Sequence, residues 1–355
     1  MRKIKNYWHL LEAVFWNVYY GFPAKKLTVI GVTGTDGKTT TVNLIHHILT
    51  TAGIKAGIWS TISSAHTTTP NPKTLQKFLR DGLNKGRTLA VLEISSHAID
   101  QNRIWGIPFK VGVLTNIADN EHLDYHKTFE KYRTTKLNWL KTCKKQIRWQ
   151  DVKFEFKTNL LGEFNRQNCL SAIGAAKALG ISDEIIRKAV ASFEAPSGRL
   201  DLVVAKPFKV YVDFAHTPQA FEQVLPTVKP KDGRLIHVFG CTGDRDKGKR
   251  PIMGKIASQY DDIIILTHED TYSEDPEKII NDIEKGITRH SGLSRIPNRR
   301  DAIKKALELA KPGDVVIITG VGHQKSLNIG GKEIPWSDQE VVKELMKLKD
   351  PDVSS

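Results

Sequence analysis

The run Gly34-Thr35-Asp36-Gly37-Lys38-Thr39-Thr40 constrains this chain more than any other feature in it. It follows LTVIGVT (27–33), an apolar, β-rich segment that reads as a buried strand. Behind it, over 39–52, Val42, Leu44, Ile45, Ile48 and Leu49 recur at helical spacing until Gly53 stops the pattern. Strand, glycine loop and helix in this order open a nucleotide-binding α/β unit. The glycines let backbone N–H groups approach phosphate oxygens, and the helix N-terminus favours an anion. Lys38 is then placed to reach the β- and γ-phosphates, and the Thr39 hydroxyl to bind Mg²⁺. The usual loop has a glycine five residues before its Gly-Lys pair. Val32 stands there, so this is a shorter GTxGKT variant. A plain glycine turn is the bland alternative.

The same alternation runs on through the chain. Helical patterns at 73–85, 128–142 and 165–179 interleave with strands at 88–94 and 110–115. After the turn Pro196-Ser197-Gly198 a second series begins, with strands at 209–213, 234–239, 262–266 and 314–319. Its helices fall at 218–225, 251–258, 276–288 and 299–310. The expectation is an α/β protein with mostly parallel sheets: a P-loop ATPase domain over 27–195 and a Rossmann-like domain over 196–355. Residues 346–355 read as fraying. A length of 355 residues suits two or three domains. With 40% hydrophobic and 26% charged residues, a disordered, collagen-like or polytopic membrane chain is excluded. The net charge of +14 favours an anionic partner. No aromatic-interleaved basic motif points to nucleic acid. Cys143, Cys169 and Cys241 are scattered, so neither a disulfide framework nor a cysteine zinc site is expected, and a reducing cytoplasm is the natural setting.

Residues 1–26 form a separate N-terminal segment. Within YWHLLEAVFWNVYYGF (7–22), Trp8, Leu11, Phe15, Tyr19 and Phe22 recur at helical spacing, with Arg2, Lys3 and Lys5 before and Lys25 and Lys26 after. The run is too short to span a bilayer. Two readings stand: a helix packed on its own protein, or, over residues 4–22, a peripheral contact with a membrane surface through Trp8, Trp16, Tyr19 and Tyr20.

Further chemistry-bearing residues follow the loop. Glu93, at the end of the 88–94 strand, lies where active-site residues of open α/β sheets collect and reads as a Mg²⁺ ligand. Thr115-Asn116, His122-Leu123-Asp124-Tyr125-His126 and Lys136 are each weak alone; a loop histidine or a helix-surface lysine is the bland reading.

Together these runs resemble the muramyl ligase superfamily, and within it the UDP-N-acetylmuramoyl-tripeptide synthetase branch. The resemblance rests on GVTGTDGKTTT (31–41), TTP (68–70), EISSHA (93–98), TN (115–116), HLDYH (122–126) and LGEFNRQN (161–168). It continues through SGR (197–199), VDFAHTP (212–218), GCTGDRDKGKRP (240–251), SEDP (273–276) and GVGHQ (320–324). It implies an ADP-forming carbon–nitrogen ligase. A muramyl-peptide carboxylate attacks ATP to give an acyl phosphate, and an amino acid's amine then displaces phosphate. Gly34, Thr35, Asp36, Gly37, Lys38, Thr39 and Thr40 would hold the nucleotide with Asn116, Asn165, Asn168, Arg199, Asp213 and His216. Thr39, Glu93 and His122 would hold Mg²⁺. Lys136, fourteen residues after His122, matches the family's carbamylated lysine, whose anionic CO₂ adduct would help position a second Mg²⁺. Thr68, Thr69, Ser95, Arg250, Glu269, Asp270, His323 and Gln324 match substrate-side positions, Arg250 toward the amino acid's carboxylate. The second domain is expected to close by a hinge near residue 196.

Four departures from the family pattern are visible. Only 26 residues precede the first ATPase strand, where the family carries a uridine-binding domain. The segment from Lys136 to Leu161 is short. The loop before His122 reads IADNE, with Glu121 in place of the usual aspartate. The amino-acid loop reads His268-Glu269-Asp270-Thr271-Tyr272 in place of the Asn-Pro-Arg run of diaminopimelate-adding enzymes, and Gln324 replaces a glutamate. Glu269 and Asp270 instead suggest a substrate with a side-chain amine, such as lysine. The rival readings are a folylpolyglutamate-synthetase-like ligase, a lipid-II-modifying ligase and a non-catalytic nucleotide-binding module. The first fits EISSHA and GDRDKGKRP less well. The second goes with a four-cysteine zinc protein, which three scattered cysteines do not provide. The third should have lost Lys38, Glu93, His122 or Lys136.

Overall fold

Each of the seven apolar runs read as strands forms one, and each lies in the interior of a sheet. The computed structural model describes residues 2–63, 67–118, 123–288 and 292–349. The chain divides into two compact units, the first ending at Glu194 and the second beginning at Ala195.

The first unit runs α1 (Arg2–Tyr19), β1 (Thr28–Thr33), α2 (Lys38–Thr51), β2 (Ala56–Trp59), α3 (Pro72–Asn84), β3 (Leu89–Glu93), α4 (Ser96–Asp100) and β4 (Phe109–Leu114). It continues with α5 (Leu123–His126), α6 (Phe129–Thr142), β5 (Lys145–Arg148), α7 (Glu163–Ala178) and α8 (Asp183–Ser192). Its sheet has the order β2-β3-β1-β4-β5, every pairing parallel. Parallel strands must be covered on both faces, and their sequences show it: β3 is buried throughout, as is β1 from Val29 to Thr33. Gly31 of β1 lies against Trp139 and Phe109, and Gly112 of β4 against Cys143, so side chains there would displace the covering helix α6. Because β3 and β4 flank β1, the chain reverses direction at β1, and the crevice at its carboxyl end is the natural ligand position.

The second unit runs β6 (Asp201–Val204), β7 (Lys209–Val212), α9 (Pro218–Val228), β8 (Leu235–Phe239), α10 (Lys249–Tyr260), β9 (Ile263–Leu266) and α11 (Pro276–Glu284). It ends with β10 (Leu293–Arg295), α12 (Arg299–Leu309), β11 (Val315–Ile318), β12 (Ser326–Ile329), β13 (Lys332–Pro335) and α13 (Asp338–Lys349). The six-stranded order is β10-β9-β8-β11-β7-β6, parallel except for β6 against β7, with β12 and β13 as a separate antiparallel hairpin. Side-chain caps open most helices: Asn71, Ser95, Thr128, Ser182, Thr217, Asp275 and Asn298 each accept a backbone N–H from the first turn.

The strands missed in the sequence are the two of the β12–β13 hairpin and β2, β5, β6 and β10, the four edges of the two large sheets. An edge strand is paired and covered less, so its residues carry a weaker apolar signal; KQIR of β5 is half-buried at best. The fraying expected from residue 346 begins too early, since α13 runs to Lys349; 350–355 lie outside the described residues. No helix among the described residues is long and apolar enough to cross a membrane.

Candidate nucleotide and substrate sites

At the carboxyl end of β1 the chain turns through Gly34–Gly37 into α2. Gly37 has φ 78°, and a Cβ there would collide with the Asn168 side chain, so both handedness and closeness require glycine. Thr115 and Asn116, just past β4, hold the loop. Asn116 accepts Thr35 N–H on its carbonyl (3.0 Å) and Asp36 N–H on its side chain (2.9 Å), while Thr115 Oγ1 donates to the Asp36 carbonyl (2.6 Å). Asn116 therefore shapes the phosphate loop from behind. Asn168 donates to Asn165 Oδ1 (3.1 Å), and Asn165 to the Leu161 carbonyl (2.8 Å), which fixes both amides on α7 beneath Gly37.

Lys38 is half-buried and folds back to donate to the Thr35 carbonyl (2.5 Å). Thr39 Oγ1 lies 3.1 and 3.2 Å from the two Glu93 carboxylate oxygens. Glu93 also accepts Thr61 N–H (2.8 Å) and Thr61 Oγ1 (3.0 Å), so a nearly buried carboxylate is held beside the loop by two threonines. Thr40 is buried in the first turn of α2. Thr69 Oγ1 donates to the Glu93 carbonyl (2.8 Å) and accepts Ser95 N–H (2.9 Å); Thr68 accepts from Thr61 at 3.4 Å. Ser95 caps α4.

Lys136 is 1% exposed. Its Nζ donates to the Gly34 carbonyl (2.8 Å) and lies 4.7 Å from the Tyr132 ring. Tyr132, one turn earlier on α6, is fully buried and pairs its hydroxyl with Thr35 Oγ1 (2.9 Å), which also accepts Ala118 N–H. Neither Tyr132 nor Thr61 was anticipated; the i, i+4 spacing of Tyr132 and Lys136 was the available signal. His122 lies outside the described residues. Tyr125 donates to Asp100 (2.8 Å), and its ring centroid lies 4.0 Å from that of His97 and 4.8 Å from that of His126.

In the second unit, four of the expected residues meet around Phe214 at the carboxyl ends of β7 and β11. The Arg199 guanidinium lies 4.6 Å over the Phe214 ring and donates to Gly198 O (2.8 Å) and to His323 Nδ1 (3.2 Å). Asp213 accepts Leu200 N–H and Ala215 N–H, each at 2.6 Å, and His216 Nδ1 bonds the Phe214 carbonyl (2.7 Å).

The amino-acid loop departs from expectation. Arg250 is 0% exposed, its two guanidinium nitrogens on Glu274 (2.8 and 2.7 Å) with Asp282 at 3.1 Å. These bonds occupy the edges a substrate carboxylate would need, so Arg250 is a strut between α10 and the segment entering α11. Arg245, in the same loop, is exposed with its guanidinium 5.8 Å from the Tyr272 ring, and was overlooked. Glu269 and Asp270 are not exposed acids. Both are buried; Glu269 accepts from Thr242 (2.5 Å), Asp270 from Asn328 N–H (2.8 Å), and Gln324 approaches Asp270 at 3.5 Å. Burial pushes the Glu269 carboxyl up, toward its neutral form. The three cysteine thiols are buried and pushed up to about 11, 11 and 12, so none is a thiolate nucleophile.

Known proteins share this layout. A family profile described as Mur ligase middle domain matches residues 32–148, and one described as Mur ligase, glutamate ligase domain matches 198–322. A UDP-N-acetylmuramoyl-L-alanyl-D-glutamate–2,6-diaminopimelate ligase of Aquifex aeolicus (strain VF5) is 37% identical, covering 92% of this chain and 79% of that protein. The enzyme of the same name from Clostridium botulinum is 35% identical over 94% and 81%. A solved structure of a ligase of this name is 30% identical, with a TM-score of 0.60 over 91% of this chain and 79% of that one. A Mycobacterium tuberculosis folylpolyglutamate synthase with ADP and AMPPCP shares the fold at 16% identity, TM-score 0.70, covering 88% and 92%.

Proposed function

The chain belongs to the Mur ligase family, and from that premise we propose how its residues carry out ADP-forming ligation of an amino acid to a muramyl-peptide carboxylate in peptidoglycan precursor synthesis. The observation that carries the reading is the loop Gly34–Thr40 with Glu93, Thr39 and Lys136 gathered on it. Phosphoryl transfer needs positioning and charge neutralisation more than a protein nucleophile, and this set supplies both.

Lys38 would turn from the Thr35 carbonyl to the β- and γ-phosphates of ATP, with the loop's N–H groups around them. Thr39 and Glu93 offer oxygen donors, the kind a hard cation takes, so they fit a Mg²⁺ site that His122 would complete. Bound Mg²⁺ would neutralise charge between the phosphates and the attacking carboxylate. Lys136 in its neutral form would add to CO₂: an N–C bond forms, one amine proton leaves, and the product is a carbamate anion beside Gly34 able to serve a second Mg²⁺. Arg199, stacked on Phe214 and steadied by His323, is the proposed γ-phosphate contact, with Asp213 and His216 shaping its surroundings. In the amino-acid loop we assign the carboxylate contact to Arg245, since Arg250 is committed to Glu274.

For the amino acid we propose a diamino acid, the class shared by lysine and the 2,6-diaminopimelate in the relatives' names. An ATP-consuming reaction and three free thiols support a cytoplasmic setting. The test is a panel of amino acids with ATP, Mg²⁺ and, as acceptors, muramoyl dipeptide, free and UDP-linked, and a reduced folate, reading product mass. A product carrying lysine or diaminopimelate supports the assignment. One carrying only an acidic or apolar amino acid refutes the diamino class, and one built on a folate refutes the acceptor.

A further inference from the structure

We propose that the outward face of α1 docks onto the anionic surface of a lipid bilayer, with the helix lying in the plane of the interface. One side of α1 is anchored to its own unit. Ala13 and Asn17 are fully buried, and Asn17 donates to the Ala13 carbonyl (2.8 Å) and the Trp105 carbonyl (2.9 Å). Asn6 donates to the Asp100 carbonyl and carboxylate (2.8 and 3.1 Å), and Arg80 of α3 donates to the Tyr20 carbonyl. The other side is bare. Tyr7, Trp8, Leu11, Phe15, Val18 and Tyr19 are 41–67% exposed, and they make up six of the twelve exposed large hydrophobic residues among those described. At about 3.6 residues per turn these positions fall within roughly a third of the helix circumference, opposite Ala13 and Asn17. Scattered exposed hydrophobics are ordinary; a contiguous stripe on one rigid helix marks an interaction surface.

Composition and charge choose the occupant. Four of the six side chains are aromatic, and three of those, Tyr7, Trp8 and Tyr19, have a polar atom at the end of an apolar body. A dry protein interface would have to find each of those atoms a partner. The headgroup layer gives them water and lipid oxygens while the rings bury their apolar part. The face holds no acid, and Glu12 beside it pairs with His9 at 3.8 Å. Cations flank it: Lys25 and Lys26 are exposed just past the helix, and Lys73 lies 5.0 Å over Trp16. An amphipathic, aromatic helix with basic flanks is complementary to an anionic headgroup layer. Since α1 cannot cross a bilayer, it lies on one.

The test is co-sedimentation of the full chain with vesicles of phosphatidylcholine, with and without about one-third phosphatidylglycerol. A second protein carries Trp8→Gln, Phe15→Gln and Tyr19→Gln. These side chains are exposed, so the melting temperature and ATP turnover of the variant should match the parent and certify its fold. The expected result is binding to the anionic vesicles only, weakened by salt, and at least about tenfold weaker in the variant. Failure of the full chain to bind anionic vesicles, or equal binding by the variant, would overturn the proposal. So would a dimer in light scattering that forms without lipid and is lost in the variant, which would identify the occupant as a second copy.

Discussion

Lys38 and Lys136 both bond carbonyls of the Gly34–Thr40 loop, yet they sit in opposite surroundings. Lys38 is half-buried on the loop surface, so Lys38→Ala removes a charge and no core volume. ATP turnover should drop by about 10²–10³-fold with the unfolding midpoint unchanged, as measured by coupled ADP release and thermal melting. Lys136 is enclosed between Gly34, Thr33 and Tyr132. Lys136→Ala should be nearly inactive, and small carboxylates should restore part of the activity by supplying the missing anion; full activity without them would remove the carbamate from the account. Arg250 separates a strut from a substrate contact. Arg250→Ala removes a fully buried guanidinium bonded to Glu274 and Asp282, which keep Lys247 and Lys285 as partners, and should cost about 1–3 kcal/mol in urea unfolding. The bond from Arg250 holds Glu274 far below the usual carboxylate range. A depressed folded value stabilises above the unfolded value and is lost as pH falls through it, so acidification below the ordinary carboxylate range should weaken the parent more than the variant. The sequence could not give this assignment, because an arginine in GKRP looks the same whether its partner is a substrate or Glu274, 24 residues away in a turn before α11. Tyr132 was hidden for the same reason: its value lies in reaching Thr35 across the fold.

Among the elements, legibility followed burial. Interior strands such as β3 and β11 are continuous apolar runs and were plain in the sequence; β2, β5, β6 and β10 are sheet edges and were not. The turn at Gly34–Gly37 between strand and helix was readable because backbone geometry demands glycine there, and Gly37 combines a left-handed φ with contact to Asn168. The burial of Glu269 and Asp270 was not legible, because a carboxylate in sequence carries no mark of it. For α1 the alternatives of packing and exposure proved to be two faces of one helix. Asn17 makes its packing testable: Asn17→Ala removes donors to Ala13 and Trp105 from a fully buried site and should destabilise the first unit by about 1–3 kcal/mol in denaturant melts. No change would mean that α1 is held by other contacts.

At the scale of the molecule, two α/β units each gather polar and charged side chains at the carboxyl ends of their strands, the position open parallel sheets offer to ligands. In the first unit these are loop N–H groups, a lysine and oxygen donors; in the second, Arg199 and two histidines around Phe214 and an exposed Arg245. That division suits a reaction that first activates a carboxylate with ATP and then admits an amine. The most direct measurement uses muramoyl dipeptide whose acceptor carboxylate carries oxygen-18, with ATP, Mg²⁺ and the accepted amino acid. Through an acyl phosphate, one carboxylate oxygen leaves with the γ-phosphoryl group, so the released inorganic phosphate should carry a single labelled oxygen, and none should form with Lys38→Ala. Unlabelled phosphate released alongside the amide product would contradict the mechanism.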